Sequence, residues 1–325
     1  MPRRSVIAAV LTTLVLAAAP QPAAAAGARF ALLVQGASGE PQYATQHRGW
    51  LDELSKIFST TFKYDATHLA VLAEQPKAGE EKATAEAVKA ALGRIAAAMK
   101  ADDQLAIVLI GHGTAQSGDA KFNLVGPDLG VAEWAAALKP VPGRVIVIDT
   151  TSSSFPYLAG LAAQGRIVVT ATNSAAQRFA TVFPEGFIKA LQSPEADLDK
   201  NGRVSVLEAF NFTSRFVKDF YTQKGNMAPE LASIDDNGDG KGRDASATGP
   251  DGPVAAATYF DTPIALTSAD PETQRLLDRQ QALTDQIDDL KRRQGSMAAA
   301  EFDKQLEVLI TELATVSSQI RQRSR

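Results

Sequence analysis

The sequence predicts an α/β fold with three layers, in which helices cover both faces of a mostly parallel sheet. Its apolar runs are short and continuous, without the alternation of a half-exposed strand, and such runs are typical of strands buried on both faces. Helical stretches separate these runs, and the alternation of strand and helix is the pattern of a parallel sheet. Two further helical patterns end the chain and predict an α-helical hairpin beside this sandwich.

The apolar runs predict strands at residues 29–36, 69–74, 104–113, 144–149 and 166–172. The helical stretches between them cover residues 42–59, 83–101, 131–138 and 155–163. We assign residues 27–265 to this domain. Because the functional groups of such sheets gather at the carboxyl ends of the strands, we expect Gly111, His112 and Gly113 to share one edge with residues 149–154.

The first 26 residues have the features of a secretory signal peptide. Two arginines precede an apolar run of about a dozen residues, and a Pro/Ala segment with A-x-A sites follows. We predict cleavage after Ala26 and an exported protein, periplasmic or secreted; a retained anchor is the alternative. No later segment reaches about 18 apolar residues, so no membrane span is expected after cleavage.

The composition excludes several kinds of chemistry. Cysteine is absent, so the chain has no disulfide, no zinc-thiolate site and no cysteine nucleophile. A net charge of -4 offers no basic footprint for nucleic acid. The stretch GHGTAQSG has spaced glycines after a strand but neither of the spacings that bind nucleotides. With 45% hydrophobic residues, the fold is expected to rest on a large core.

Residues 266–325 predict the helical hairpin. Asp270 and Pro271 form a helix start, and Gly295 and Ser296 separate the two helices. The apolar seam positions are Leu276, Leu283, Ile287 and Leu290 in the first helix and Phe302, Leu306, Leu309, Leu313, Val316 and Ile320 in the second. This a/d spacing fits an antiparallel hairpin packed on itself or on the main domain, and alternatively a coiled coil that forms a homodimer.

A hydroxyl cluster follows the fourth strand, in the stretch VIVIDTTSSSFP. Asp149 ends the strand, and the next residues, 150–154, all carry a hydroxyl group. His112 lies between two glycines directly after the third strand, which predicts that its ring is presented at the sheet edge. A histidine near serine or threonine hydroxyls is the arrangement of a nucleophile and its base. A hydroxyl cluster at a strand-to-helix junction is also a common turn and N-cap device.

These two elements together resemble the legumain and caspase clan of cysteine peptidases. LAIVLIGHG matches the strand that ends in His-Gly, and in VIVIDTTSSS the residues Asp149 and Ser153 match the clan's acidic and serine positions. VVTATNSAAQRFA, residues 168–180, looks like the strand and loop after the nucleophile. The resemblance covers residues 29–230 and implies a caspase-like sandwich. Thr151 stands at the place of the nucleophilic cysteine.

That substitution favours a non-catalytic protein, a pseudopeptidase that binds a peptide or protein partner in the old substrate groove. A threonine hydroxyl lacks the intrinsic reactivity of a thiol and would need His112 as a well-oriented base. The first alternative is a hydrolase that uses His112 with the hydroxyl of Thr151, Ser152, Ser153 or Ser154. The second alternative is a structural assembly protein that acts through the helical hairpin. No GxSxG elbow of a serine esterase is present.

A calcium loop of the EF-hand type is predicted at residues 197–208, DLDKNGRVSVLE. Calcium prefers six to eight oxygen ligands, and this spacing supplies them from a loop of twelve positions with glycine at the sharp turn, here Gly202. The predicted ligands are Asp197, Asp199, Asn201, the backbone carbonyl of Arg203, Ser205 and Glu208. We expect a structural Ca²⁺ site.

A second acidic stretch, DDNGDGKG at residues 235–242, predicts an incomplete cation site. Asp235, Asn237 and Asp239 occupy the first ligand positions, with Gly240 at the turn. The twelfth position is Ser246, which cannot bind a cation through two oxygens. A flexible polar turn is the alternative interpretation of this stretch.

Overall fold

A computed structural model describes residues 27–116, 119–263 and 266–323. In the described residues the strands are β1 Arg29–Gln35, β2 Leu69–Ala73, β3 Glu81–Lys82, β4 Gln104–Ile110, β5 Gly113–Gln116, β6 Asp119–Phe122, β7 Leu129–Gly130, β8 Arg144–Asp149, β9 Arg166–Thr170 and β10 Ser233–Asp235. The helices are α1 Pro41–Lys56, α2 Ala85–Ala98, α3 Val131–Leu138, α4 Phe155–Leu161, α5 Phe183–Gln192, α6 Val206–Gln223, α7 Pro253–Ala256, α8 Pro271–Arg292 and α9 Ala299–Arg323. The predicted signal peptide lies outside the described residues.

The central sheet has seven strands in the order β10-β9-β8-β4-β1-β2-β3. All neighbouring strands run parallel except β10, which pairs antiparallel with β9. The three central strands β1, β4 and β8 are buried almost throughout, as their continuous apolar runs require. The predicted α/β class with a mostly parallel sheet is therefore confirmed.

Two apolar clusters sandwich this sheet between helices. On one face, alternate residues of the strands pack with α1, α5, α6 and α7 around Phe58, Phe187 and Phe260. On the other face, the remaining strand residues pack with α2, α3 and α4 around Trp134 and Tyr157. Burial of a strand on both faces needs helices on both sides of it, and the two clusters show that arrangement. The molecule therefore has the three layers that the sequence predicts.

The chain departs from the predicted elements at the sheet's carboxyl edge. The third strand ends at Ile110, because Gly111 has φ 142° and turns the backbone out of the sheet. The chain then forms β5, β6 and β7, a small antiparallel sheet that the apolar pattern did not predict. Helix α2 is shorter than predicted at both ends, since Thr84 caps its first turn and Met99 is extended.

The C-terminal pair of helices, α8 and α9, is present as predicted. Leu283, Ile287 and Leu290 of α8 are buried, as are Phe302 and Val316 of α9, while the other predicted seam positions are half-buried. A short 3-10 turn at Gln294–Ser296 reverses the chain between them. Among the described residues, no helix has the length and apolar character needed to cross a membrane. The predicted boundary at residue 265 lies outside the described residues.

Candidate functional site

His112 and the hydroxyl cluster lie at the same edge of the central sheet, beyond the carboxyl ends of the adjacent strands β4 and β8. The two segments touch through Gly113 and Ser152. The Gly113 N–H donates to Ser152 Oγ at 3.4 Å, and this hydroxyl donates back to the Gly113 carbonyl at 3.1 Å. A Cβ on residue 113 would lie 2.2 Å from the Ser152 carbonyl oxygen, so this approach requires glycine.

The first two hydroxyls of the cluster serve the backbone and the strand end. Thr150 Oγ1 donates to the carbonyl of Leu109 at 2.7 Å, which ties β8 to β4. Thr151 donates to Asp149 Oδ1 twice, from Oγ1 at 2.7 Å and from its backbone N–H at 3.0 Å. Thr151 is only 1% exposed. The residue at the nucleophile's position thus points its hydroxyl at a buried carboxylate.

The three serines are equally enclosed. Ser153 has a positive φ of 54°; its N–H donates to the Gln177 carbonyl at 2.8 Å. Ser154 Oγ lies 3.0 Å from Thr172 Oγ1 and accepts the Thr172 N–H. Ser152, Ser153 and Ser154 are all at most 3% exposed. Each hydroxyl is therefore engaged with a neighbour and closed off from solvent.

His112 makes its contacts with aromatic rings rather than with the hydroxyls. Its ring meets Tyr43 edge-on at 4.7 Å between centroids and His47 at 5.0 Å. Burial lowers the pKa of His112, and a backbone interaction at Ser38 and the charge of Glu40 partly oppose that shift. In the part of the chain that the structure describes, no hydrogen bond joins the imidazole to a hydroxyl of residues 151–154.

His47 forms the back of this aromatic group. It is 2% exposed, stacks with Tyr43 and Trp50, and leaves Nδ1 without a hydrogen-bond partner. Burial lowers its pKa to about 4, and the nearby His112 adds to the shift. Both imidazoles are accordingly neutral at physiological pH. The sequence places His47 in a helix, but nothing local indicates that it faces His112.

Asp149 is a buried acid directly beneath the hydroxyl cluster. Its Oδ2 atom is buried without a hydrogen-bond partner, while Oδ1 accepts the two bonds from Thr151. Burial raises its pKa to about 7, and the bonds from Thr151 limit the shift. A carboxyl group with this pKa is partly protonated at neutral pH. This pairing of acid and threonine is local in sequence, yet its burial is decided by the helices around it.

Three exposed apolar side chains lie on segments next to the enclosed cluster. Phe155 begins α4 directly after it and is 37% exposed, and Phe179 in the following loop is 73% exposed. That loop is held to the cluster through the Gln177 carbonyl, which accepts the Ser153 N–H. Leu231, 44% exposed, donates its N–H to Gln177 Oε1 at 3.4 Å. The carboxyl edge therefore carries apolar surface beside buried polar groups.

The predicted calcium loop forms a turn between α5 and α6. Both oxygens of the Asp197 carboxylate accept backbone N–H groups, from Asn201 at 3.1 Å and from Gly202 at 3.0 Å. Gly202 has φ 86°, a conformation that glycine adopts without strain. Asn201 Oδ1 accepts the Arg203 N–H at 2.8 Å. These bonds curl the loop around its acidic side chains.

Three of the predicted ligands converge. Carboxylate oxygens of Asp197, Asp199 and Glu208 lie within 4.8 Å of one another, the one such acidic or histidine group found among the described residues. Two oxygens bound to one Ca²⁺ can be at most about 5 Å apart, because each Ca–O distance is about 2.3–2.6 Å. These residues therefore fit a cation of that size. Calcium itself is not distinguished by this geometry.

Glu208 and Ser205 also cap α6. Glu208 Oε2 accepts both the N–H and the hydroxyl of Ser205 at 2.8 Å, and Ser205 Oγ accepts the Glu208 N–H at 3.2 Å. This reciprocal capping box stabilises the first turn of the helix. Glu208 Oε1 accepts the N–H of Leu198 at 2.8 Å. Oε1 also accepts the Asp199 N–H at 3.2 Å, so each oxygen of Glu208 already accepts two hydrogen bonds, and a cation bound by Glu208 would displace some of them.

The second acidic stretch folds like the first. Asp235 accepts the Gly238 N–H at 2.8 Å and the Gly240 N–H at 2.7 Å, and Asp239 accepts the Lys241 N–H at 2.7 Å. Asp251 lies near these carboxylates: burial raises its pKa to about 6, and the charges of Asp235 and Asp239 add to the shift. Asp251 was not predicted, because it comes from a Gly/Pro-rich segment beyond the twelve-residue pattern.

The first loop is fastened to the segment that leads to the hairpin. Asn201 Nδ2 donates to Tyr259 Oη at 3.1 Å, and the Arg203 guanidinium lies 3.7 Å from the centre of the Tyr259 ring. Arg203 also forms an ion pair with Asp261 at 2.8 Å. Val206 donates its N–H to the Thr258 carbonyl at 2.8 Å. These contacts therefore couple the conformation of the loop to that of the segment before the hairpin.

Comparison with known proteins gives similarity at the level of fold. A crystal structure of protein GSU0716 from Geobacter sulfurreducens matches with a TM-score of 0.40 and 14% identity, covering 58% of this chain and 89% of that one. The Drosophila initiator caspase Dronc matches with a TM-score of 0.43 and 12% identity, covering 66% and 81%. No protein-family model and no curated protein matches the chain. Both TM-scores are low, so the resemblance to the caspase and legumain clan rests on the sequence motifs.

Proposed function

We propose that this chain is an exported, calcium-stabilised pseudopeptidase that binds a peptide or protein partner without cleaving it. The observation that carries the proposal is the state of the hydroxyl cluster. Every hydroxyl of residues 150–154 is at most 3% exposed, and none is hydrogen-bonded to His112 within the described chain. A nucleophile must reach both its base and its substrate.

The surroundings of Thr151 support this interpretation. Its hydroxyl donates to Asp149, whose pKa of about 7 marks a weakly ionised acid in an apolar setting. The Gly113 N–H, at the same edge, is occupied by Ser152 Oγ. A backbone donor at this position would otherwise be available to a substrate oxygen. The buried hydroxyl groups therefore fill the space at the carboxyl ends of the strands.

The proposed partner site is the apolar surface beside the hydroxyl cluster. Phe155, Phe179 and Leu231 are exposed there, and the loop bearing Phe179 is fixed by the bond between Ser153 and Gln177. Exposed aromatic residues held on an ordered loop are typical of interaction surfaces. An extended peptide with an apolar side chain suits such a surface.

For the cation, we propose Ca²⁺ at Asp197, Asp199, Asn201, the Arg203 carbonyl, Ser205 and Glu208. The convergence of three carboxylates and the local twelve-residue spacing support the site. The role is structural, because the loop holds Tyr259 and Asp261 in the segment before the hairpin. Asp235, Asn237 and Asp239 form a second, weaker candidate, to which Asp251 adds a carboxylate.

Two alternatives remain in other functional classes. A hydrolase would need His112 and a hydroxyl of Thr151 or its neighbours to rearrange until they bond, which requires the buried contacts described above to open. A structural assembly protein would act through the hairpin, where Val308 and Ile310 are exposed on α9. The experiment below separates both from the peptide-binding proposal.

The test is retention and cleavage of a diverse peptide library, measured together by mass spectrometry with and without calcium. We expect retained, intact peptides, and loss of retention in Phe179→Ser. The matched control is Val308→Ser, an exposed apolar residue on α9 that should leave retention unchanged. Cleavage that disappears in His112→Ala would replace this proposal by the hydrolase. Absence of retention, with self-association lost in Val308→Ser, would favour the assembly protein.

A further inference from the structure

A polar cavity of about 690 Å³ lies between the amino-terminal edge of the central sheet and α8. The first residues of β1, β4 and β8, which are Arg29, Gln104 and Arg144, line one side. Asp288 and Arg292 of α8 line the other. The hydroxyl cluster is at the opposite edge of the same sheet, beyond the carboxyl ends of the strands. The cavity is therefore separate from the proposed partner surface.

Several of the arginines around this cavity have partners within the chain. Arg29 donates to two backbone carbonyls, at 2.7 and 2.8 Å. Arg203 pairs with Asp261 at 2.8 Å. Arg292 donates to the carbonyl of Ala257 at 2.9 Å. These side chains hold the walls of the cavity together and have structural roles.

Arg144 is the exception among the cavity's arginines. In the described chain its guanidinium has no ion pair and no hydrogen bond, and its Nε atom is buried. Burial lowers the pKa of Arg144 to about 10; the neighbouring charge of Arg292 adds to the shift, and the charge of Asp289 partly opposes it. The group stays protonated at physiological pH. A half-buried guanidinium that forms no ion pair within the described chain is thus present at the start of β8.

Asp288 is a second charged group without a partner. It is 7% exposed, and among the described residues its carboxylate forms neither a hydrogen bond nor an ion pair. Burial raises the pKa of Asp288. The charges of Lys291, Arg292 and Arg203 partly oppose this shift, although none of the three forms an ion pair with Asp288. Asp288 lines the same cavity as Arg144. The cavity accordingly contains an unpaired base, Arg144, and a buried unpaired acid, Asp288.

Charged groups that are largely withdrawn from water are costly unless a partner replaces the lost hydration. A purely structural wall would pair these two groups or exchange them for apolar residues. A ligand with a negative and a positive end would satisfy both. The cavity volume also falls in the range of small-molecule sites, roughly 300–1,000 Å³. A ligand with only a negative charge would satisfy Arg144 and leave Asp288 unpaired.

We propose that this cavity binds a small zwitterion, a free amino acid or short peptide, with its carboxylate on Arg144 and its ammonium group on Asp288. Guanidinium and carboxylate form paired, charge-assisted hydrogen bonds, and an ammonium group has three donors for an aspartate. Arg292 and Asp289 both act on Arg144, with charges of opposite sign. The site is independent of the proposed peptide surface at the other edge.

The test is isothermal titration calorimetry of the purified chain with L-alanyl-L-alanine. N-acetyl-L-alanine, which lacks the ammonium group, and L-alaninamide, which lacks the carboxylate, are the matched probes. We expect the dipeptide to bind about tenfold or more tightly than either probe, because each lost charged contact costs about that factor. Absence of heat with the dipeptide, or equal affinity for all three compounds, would overturn the proposal.

Two variants place the ligand in the cavity. Arg144→Gln and Asp288→Asn are each expected to weaken dipeptide binding by about tenfold or more. Arg321→Gln is the control, since this arginine is exposed near the end of α9 and does not line the cavity. Circular dichroism verifies folding, and Arg144→Lys replaces Arg144→Gln if that variant unfolds. Affinity unchanged in both cavity variants would refute the site even if the dipeptide binds.

Discussion

At the scale of single residues, the pair of Asp149 and Thr151 supports the proposal that the hydroxyl cluster is not catalytic. The acid is buried, and its one bonded oxygen accepts both the hydroxyl and the N–H of Thr151. A threonine hydroxyl that donates a hydrogen bond to a buried carboxylate is part of the core's polar network. His112 is occupied elsewhere, against Tyr43 and His47.

Thr151→Val should destabilise the protein because it removes a hydrogen bond to a buried carboxylate. We expect the free energy of unfolding to fall by about 1–3 kcal/mol in urea denaturation. Thr114→Val is the matched control: the Thr114 hydroxyl bonds Asn123 at the exposed surface, and its loss should change stability by no more than about 0.5 kcal/mol. Equal stabilities of Thr151→Val and wild type would show that the pair has no structural role.

Asp149→Asn should change the pH dependence of stability. Burial raises the pKa of folded Asp149 to about 7, whereas an unfolded aspartate has a pKa of about 4. The folded chain therefore binds this proton more tightly than the unfolded chain does. The resulting contribution to the free energy of unfolding is fully present at pH below about 4 and is lost as the pH rises to about 7. The free energy of unfolding of the variant, minus that of wild type, should rise over this interval and be flat above it.

Urea denaturation at a series of pH values measures this difference. The subtraction cancels other buried groups, such as Glu230, whose pKa burial also raises to about 7, and His47, whose pKa burial lowers to about 4. The slope cannot exceed about 1.4 kcal/mol per pH unit for one proton. A difference that stays constant from acid to neutral pH would mean that Asp149 is ionised in the folded protein.

At the scale of elements, local sequence patterns predicted strands and loops, but they could not predict contacts between residues that are far apart in the chain. The strands of the sheet's centre could be predicted because burial on both faces makes them continuously apolar. The convergence of Asp197, Asp199 and Glu208 could be predicted because these residues lie within twelve consecutive positions. Strand β10 has only three residues, too few for a period. The ring contacts of His112 with α1 join residues far apart in the chain, so no local signal could reveal them.

Calcium should stabilise the folded chain through the first loop. A ligand that binds only the folded state at a hundredfold excess over its Kd raises the free energy of unfolding by about 2.7 kcal/mol. We expect Asp199→Asn to remove most of the calcium-dependent rise in Tm. Asp219→Asn, an exposed aspartate on α6, is the control. A rise in Tm that persists in Asp199→Asn but vanishes in Asp251→Asn would place the cation in the second loop instead.

At the scale of the whole molecule, the sheet separates two surfaces. The carboxyl edge carries the hydroxyl cluster and the exposed Phe179, and the amino edge meets α8 through Arg292 and Asp288. Helix α8 joins the main domain by the bond from Arg292 to the Ala257 carbonyl. The acidic loop at residues 197–208 lies beside this junction and contacts it through Tyr259. The hairpin is therefore an extension of the amino edge.

The chain should be a monomer in solution, because α8 and α9 bury their apolar seam against each other. Leu283, Leu290 and Phe302 are already enclosed within one chain. Light scattering during size-exclusion chromatography should give the mass of a single chain at micromolar concentration. A dimer that dissociates in Val308→Lys, at an exposed position of α9, would instead support association through the hairpin.

The most direct test of the central claim is the intact mass of the protein after treatment with diisopropyl fluorophosphate, which phosphorylates activated serine and threonine hydroxyls. The enclosed hydroxyls of Thr151, Ser152, Ser153 and Ser154 predict no change in mass, with or without calcium. A single adduct on one of these residues, absent in His112→Ala, would show an activated nucleophile and contradict the account.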